Sequence, residues 1–215
     1  MRIVSACATA LLPVLLLAGC ASRPPEPSWR ANAAGSLDSF TDAYLKGDSA
    51  IAANDFARAR GEMASTGRAD LVAHAELVRC AARTASLEVG ECEGFAPLAQ
   101  DASAQERVYA AYLAGRWQGL DPALLPEQHR AIAAGSGALA GVADPLSRLV
   151  AAGAMLQAGR IAPGDIATAT EIASAQGWRR PLLAWLGVAA QRARAVGDSA
   201  ELARIERRIA LASSR

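Results

Sequence analysis

Side chains suited to acid–base chemistry or metal binding are scarce in this 215-residue sequence, which contains only two histidines, His74 and His129. His74 cannot share a helical face with Glu76 or with Cys80, because the spacings of two and six residues are out of register. His129 follows Glu127 in a proline-interrupted stretch, which predicts a solvated loop histidine rather than a general base. No H-E-x-x-H, G-x-S-x-G or P-loop motif occurs. We therefore predict no catalytic, cofactor-binding or metal-ligating residue.

The cysteine with the most informative surroundings is Cys20. Arg2 precedes an apolar run at residues 3–17, which is shorter than the about 20 apolar residues that span a bilayer. Such a run is typical of a signal peptide. It ends in L-A-G-C at residues 17–20, which resembles the lipobox of bacterial lipoproteins. The resemblance implies cleavage before Cys20 and lipidation of Cys20 on both its thiol and its amine. The alternatives are an ordinary secreted protein and an anchor that is never cleaved.

The residue after Cys20 bears on the final location of the chain. In the lipoprotein family an Asp at that position retains the protein in the inner membrane, and here the residue is Ala21. The resemblance therefore implies the outer membrane, with the domain facing the periplasm. Loss of residues 1–19 would leave 21 basic and 21 acidic residues. Attachment would then depend on the lipid on Cys20 rather than on a basic patch, and the neutral charge argues against nucleic acid as a partner.

We predict three segments: a signal peptide at 1–19, a lipidated tether at 20–35 and a helical domain at 36–212. The tether contains three prolines between residues 24 and 27, and such prolines favour an extended chain of about 3.1 Å per residue. Its single tryptophan, Trp29, is predicted to pack onto the first helix.

Cys80 and Cys92 remain once Cys7 is lost with the signal peptide and Cys20 is lipidated. The resemblance places this pair in an oxidising compartment. Cys80 is predicted to lie in a helix that ends near Leu87, and the extended chain that follows is long enough to return Cys92 to its side. We expect a disulfide worth about 3 kcal/mol in the chain-entropy model. Two buried free thiols are the alternative, whereas redox catalysis normally uses C-x-x-C spacing.

Alanine makes up 53 of the 215 residues, which favours helices over strands. Eight glycines recur 18 to 25 residues apart, from Gly47 to Gly197, and divide the chain into segments with helical periodicity. Ser103, Asp121, Asp144 and Asp198 stand where helix caps are expected. The sequence predicts an all-α fold of stacked antiparallel hairpins, with about eight or nine helices. They are expected near 37–46, 49–65, 70–88, 103–116, 127–134, 145–158, 164–176, 180–196 and 199–212.

A weak internal repeat supports this architecture. A-Y-L-K-G at 43–47 recurs as A-Y-L-A-G at 111–115, an offset of 68 that is twice the tetratricopeptide period. The spacing of Gly47, Ala52, Phe56 and Ala59 is similar to that of half a tetratricopeptide repeat, although Tyr44 is one position out of place and later units match only in rhythm. The resemblance implies a right-handed array of helical hairpins. The concave face of such arrays commonly binds other proteins.

A second resemblance concerns an enzyme family. G-L-D-P-A-L-L at 119–125 is similar to the opening of the catalytic domain in lytic transglycosylases, which cleave the cell wall. Their general acid is a Glu near the end of the following helix, but residues 131–137 contain no carboxylate and Glu127 comes too early. We therefore attribute the likeness to the Asp–Pro helix start and disfavour this activity.

Two functional hypotheses follow. The first is a non-catalytic outer-membrane lipoprotein whose helical stack binds a periplasmic or envelope protein, with no cofactor and no evident small-molecule substrate. The second is an envelope enzyme with an unrecognised site around Glu127, His129 and Arg130. The scarcity of histidine and of clustered carboxylates favours the first.

Overall fold

The computed structural model describes residues 27–214, in which all regular structure is helical. This confirms the predicted all-α class and helix number for that part of the chain. The nine α-helices are α1 (Ser28–Lys46), α2 (Ser49–Ala64), α3 (Ala69–Ala85), α4 (Ala104–Leu113), α5 (Glu127–Ala133), α6 (Pro145–Gln157), α7 (Pro163–Ala175), α8 (Arg179–Val196) and α9 (Ser199–Ser213). Short 3₁₀ turns occupy Ala96–Leu98, Pro122–Leu124 and Leu139–Gly141.

The predicted signal peptide and Cys20, the predicted site of lipidation, lie outside the described residues. Within residues 27–214, no helix combines the length and the apolar character that crossing a membrane requires.

Most helix ends lie within three residues of their predicted positions, because local cap chemistry fixes them. The Ser103 hydroxyl accepts a hydrogen bond from the Glu106 backbone N–H at 3.2 Å, and the Glu106 carboxylate accepts one from the Ser103 N–H at 2.8 Å. Asp144 accepts from the backbone N–H of Ser147 at 2.7 Å. At the other end of a helix, Gly47 takes the left-handed conformation with φ 89°, which a residue with a side chain rarely adopts.

The predicted end of the tether at residue 35 is wrong. α1 begins at Ser28, directly after Pro27, so residues 28–35 are helical rather than extended. Gly35 lies inside this helix, where a glycine costs about 1 kcal/mol. Burial of Ala33 and the partial burial of Trp29 against the core offset that cost. Trp29 is therefore a residue of α1 itself, and it packs against the core from that helix.

The core forms where small residues let helices approach closely. Ala52, Phe56 and Ala59, which carry the tetratricopeptide resemblance, are buried in a cluster shared by α1, α2 and α3. A larger cluster joins α3 to α8, and its largest fully buried side chain is Trp185. The Trp185 indole N–H donates to the Ala85 carbonyl at 3.1 Å, which fixes α8 against the end of α3.

The Cys80–Cys92 disulfide is present, as predicted, with the two Cα atoms 5.5 Å apart. It joins α3 to the loop that follows, and both cysteines are buried. The loop therefore lies against its own helix rather than projecting into solvent.

Candidate functional site

A cleft of about 580 Å³ opens between α3, α4, α5 and α6, with Thr41 of α1 at one edge. Its volume lies within the range of roughly 300–1,000 Å³ that is usual for ligand pockets. Aliphatic side chains form most of the wall, together with one aromatic ring: Leu77, Val78, Ala81, Tyr109, Leu124, Leu125, Leu146 and Val150. Polar side chains are also among the lining residues: Thr41, His74, Gln105, Glu106, Arg130 and Ser147.

Helical periodicity explains how these residues reach one cavity. On α3, the lining residues His74, Leu77, Val78 and Ala81 follow the spacing i, i+3, i+4, i+7, so they form one stripe. α4 and α6 each add a shorter stripe, and the turn at 122–124 closes one side. The cleft is therefore a product of tertiary packing between stripes that are far apart in sequence.

Glu106 is already engaged in local structure. One carboxylate oxygen accepts hydrogen bonds from the Ser103 backbone N–H and hydroxyl, both at 2.8 Å. The other oxygen lies 4.0 Å from Nδ1 of His74, whose side chain is 59% exposed. Glu106 thus serves mainly as the cap of α4.

Arg130 is held differently. Its Nε donates to the Leu125 carbonyl oxygen at 2.9 Å, which fixes the side chain beside the cleft wall. Within residues 27–214, no group accepts a hydrogen bond from its two terminal nitrogens. The exposed guanidinium therefore keeps its outer edge available to an anion.

The prediction that His129 is a solvated loop residue is wrong. It lies in α5 with 1% of its surface exposed, and its ring contacts those of Tyr109 and Tyr112. Pro126 does not interrupt the helix but precedes its first residue, so the 127–133 segment turns the imidazole inward. The Tyr112 hydroxyl is 3.4 Å from His129 Nδ1, and burial lowers the pKa of His129 to about 4.

The three residues of the alternative enzyme hypothesis do not form one site. His129 points into the core, Arg130 lines the cleft, and Glu127 lines a separate surface pocket with Gln128 and Ala131. Across the described range 27–214, no group of three or more His, Cys, Asp or Glu side chains could hold a metal ion.

Sequence reasoning missed the cleft because its wall comes from separate segments. Tyr109 and Tyr112 both lie on α4, and the half-buried Tyr109 lines the cleft while Tyr112 is fully buried. The stripe on α3 was visible in the sequence, but nothing in it indicated that the opposing wall would leave space.

In comparisons with known proteins, no family model, no curated protein and no solved structure matches the chain. Inferences about its function therefore depend on its own residues.

Proposed function

We propose that this chain is a non-catalytic, lipid-anchored binding module of the bacterial cell envelope, and that it binds a periplasmic or envelope protein through the cleft. The observation that carries the proposal is the composition of the cleft: an aliphatic wall with a few polar groups, among them Arg130, whose two terminal nitrogens have no hydrogen-bond acceptor within residues 27–214. Such a surface can bury side chains of another protein while the polar groups orient them.

The lipobox at residues 17–20 supports the location. If Cys20 carries the lipid, only residues 21–27 separate it from the start of α1. Seven extended residues reach about 20 Å. The module would thus stay close to the membrane surface, and its partner would be an envelope protein within that reach.

The arrangement of titratable groups supports binding rather than catalysis. The cleft is lined by four such groups, His74, Glu106, Tyr109 and Arg130. Glu106 caps α4 through one oxygen, and His74 is mostly exposed. A general acid–base pair needs two groups aimed at one reacting atom, and the enzyme alternative has no such pair among Glu127, His129 and Arg130.

Site-specific photocrosslinking in intact cells tests this proposal. A photoreactive amino acid replaces Gln105, which is exposed and lines the cleft, and in a matched chain it replaces Gln191, which is exposed on α8. We expect one envelope protein, identified by mass spectrometry, to crosslink from position 105 and not from position 191.

A second variant tests whether the crosslinked product forms in the cleft. Ala81→Phe should fill part of the cleft and abolish the crosslink from position 105, while the far-ultraviolet circular dichroism remains that of a folded helical protein. Identical products from both positions, or a crosslink that survives Ala81→Phe, would contradict binding in the cleft.

A further inference from the structure

We infer that the cleft receives the C-terminal end of a partner chain, with the terminal carboxylate on Arg130 and the last aliphatic side chains against the cleft wall. This inference rests on the proposed binding function and names the part of the partner that is recognised. It follows from the charged groups of the cleft, the orientation of Arg130 and the position of that cation beside the apolar wall.

The charge balance favours an anionic ligand. Among the titratable lining residues, Glu106 has one oxygen satisfied by two donors of Ser103, and its other oxygen lies 4.0 Å from His74 Nδ1. Arg130 has no carboxylate partner within residues 27–214. A carboxylate in the cleft would find two free donors on the guanidinium of Arg130, whereas the Glu106 carboxylate is already occupied on one oxygen by Ser103 and lies 4.0 Å from His74 with the other.

The orientation of Arg130 favours a carboxylate in particular. Because Nε is committed to the Leu125 carbonyl at 2.9 Å, the two terminal nitrogens remain as a pair. Two parallel N–H donors match the two oxygens of a carboxylate, and such bidentate pairs are among the strongest hydrogen-bonded contacts in proteins. The bond to the backbone holds the donor pair in place before the ligand arrives, which lowers the entropic cost of binding.

The position of Arg130 beside the apolar wall favours a chain end. Leu125, whose carbonyl holds Arg130, itself lines the cleft together with Leu124. A ligand must therefore present its carboxylate and its apolar group within about one residue of each other. A C-terminal aliphatic residue does so, because its carboxylate and its side chain share one α-carbon. C-terminal carboxylate capture is an established mode of peptide recognition.

Calorimetric titration of the full chain in lipid nanodiscs tests the inference with three probes. The first is the peptide acetyl-Ala-Val-Leu as the free acid, the second is the same peptide as the C-terminal amide, and the third is octanoate, an aliphatic carboxylate without peptide groups. We expect the free acid to bind about tenfold more tightly than the amide, since charged hydrogen bonds of this kind are worth about 1.5 kcal/mol or more.

Two arginine variants separate recognition from general charge effects. Arg130→Gln should weaken binding of the free acid about tenfold and leave the amide unchanged. Arg148→Gln is the matched control, because Arg148 also donates its Nε to a backbone carbonyl, that of Val142 at 2.6 Å, but does not line the cleft. It should leave both affinities unchanged.

Equal affinities for acid and amide would overturn the inference, as would equal effects of the two arginine variants. Binding of octanoate without binding of the peptide acid would overturn the assignment to a protein chain end and identify a lipid-like ligand. If the crosslink from position 105 persists while acid and amide bind equally, the chain-end inference fails and the binding function stands. If that crosslink is absent, the binding function fails first.

Discussion

At the scale of single residues, burial changes the chemistry of His129. The ring packs against both Tyr109 and Tyr112 with 1% of its surface exposed, and desolvation lowers its pKa to about 4. The imidazole is therefore neutral at pH 7 and acts as a packed polar side chain. The same ring in an unfolded chain would have its ordinary pKa of about 6.5.

This difference predicts an acid-sensitive stability. The folded pKa lies below the unfolded one, so the unfolded chain takes up the proton first as the pH falls. The contribution of His129 is fully present above pH 6.5 and is lost as the pH falls towards 4. Since one pKa unit corresponds to about 1.4 kcal/mol, we expect a loss on the order of 3 kcal/mol in the free energy of unfolding.

Urea unfolding at pH 7 and pH 4 measures that loss. His129→Phe keeps an aromatic ring in the cluster but cannot bind a proton, so its stability should fall by about 3 kcal/mol less than that of the wild type over this interval. His74→Ala removes a mostly exposed histidine and should retain the wild-type pH dependence. If His129→Phe showed the same acid-induced loss as the wild type, another group would be responsible.

At the scale of elements, close approach of α3 and α6 depends on Gly153. A Cβ atom placed on this glycine would collide with the backbone carbonyl of Thr84 on α3, which cannot move without displacing the helix. Gly61 on α2 provides the contrast, because a Cβ there meets no atom within 4 Å. The two glycines thus occupy equivalent helical conformations with opposite steric surroundings.

Alanine substitutions at these two positions should therefore have opposite effects. Gly153→Ala should destabilise the protein by about 1–3 kcal/mol through overpacking, whereas Gly61→Ala should stabilise it by about 0.5–1 kcal/mol through reduced entropy of the unfolded chain. Thermal unfolding of both variants checks the pair. A stabilised Gly153→Ala variant would show that α3 and α6 do not meet as closely as described.

Helix ends could be predicted from the sequence because their causes are local. Ser103 and Asp144 cap the helices that their patterns predicted, and Gly47 ends α1 as expected. The start of α1 could not be predicted, since the burial of Ala33 that carries the helix across Gly35 depends on tertiary contacts. The cleft escaped prediction for the same reason, because Val78, Tyr109 and Leu146 come together only through packing.

At the scale of the whole molecule, the disulfide loop connects elements that are distant in sequence. Glu88 pairs with Arg180 of α8 at 3.0 Å, the Gly90 N–H donates to Gln157 of α6 at 3.3 Å, and Glu91 pairs with Arg116 after α4. Cys80–Cys92 holds this loop in place from the α3 side. The bridge therefore stabilises contacts among four helical segments.

Removal of the bridge should lower global stability. We expect the double variant Cys80→Ser/Cys92→Ser to lose about 3 kcal/mol, which for a domain of this size lowers the Tm by about 6–12 °C. Calorimetry with and without a reductant checks this prediction: the reductant should lower the Tm of the wild type towards that of the double variant and leave the variant unchanged. A wild-type Tm that does not respond to complete reduction would contradict the role of the bridge.

The proposed oxidising compartment, short membrane attachment and envelope partner of the chain all depend on lipidation of Cys20. The most direct measurement is the intact mass of the protein extracted from cell membranes, combined with fragmentation of its N-terminal peptide. We expect a chain that begins at Cys20 and carries a diacylglycerol group and a third acyl chain. A chain that retains Met1, or one that is cleaved elsewhere and carries no lipid, would contradict lipidation of Cys20.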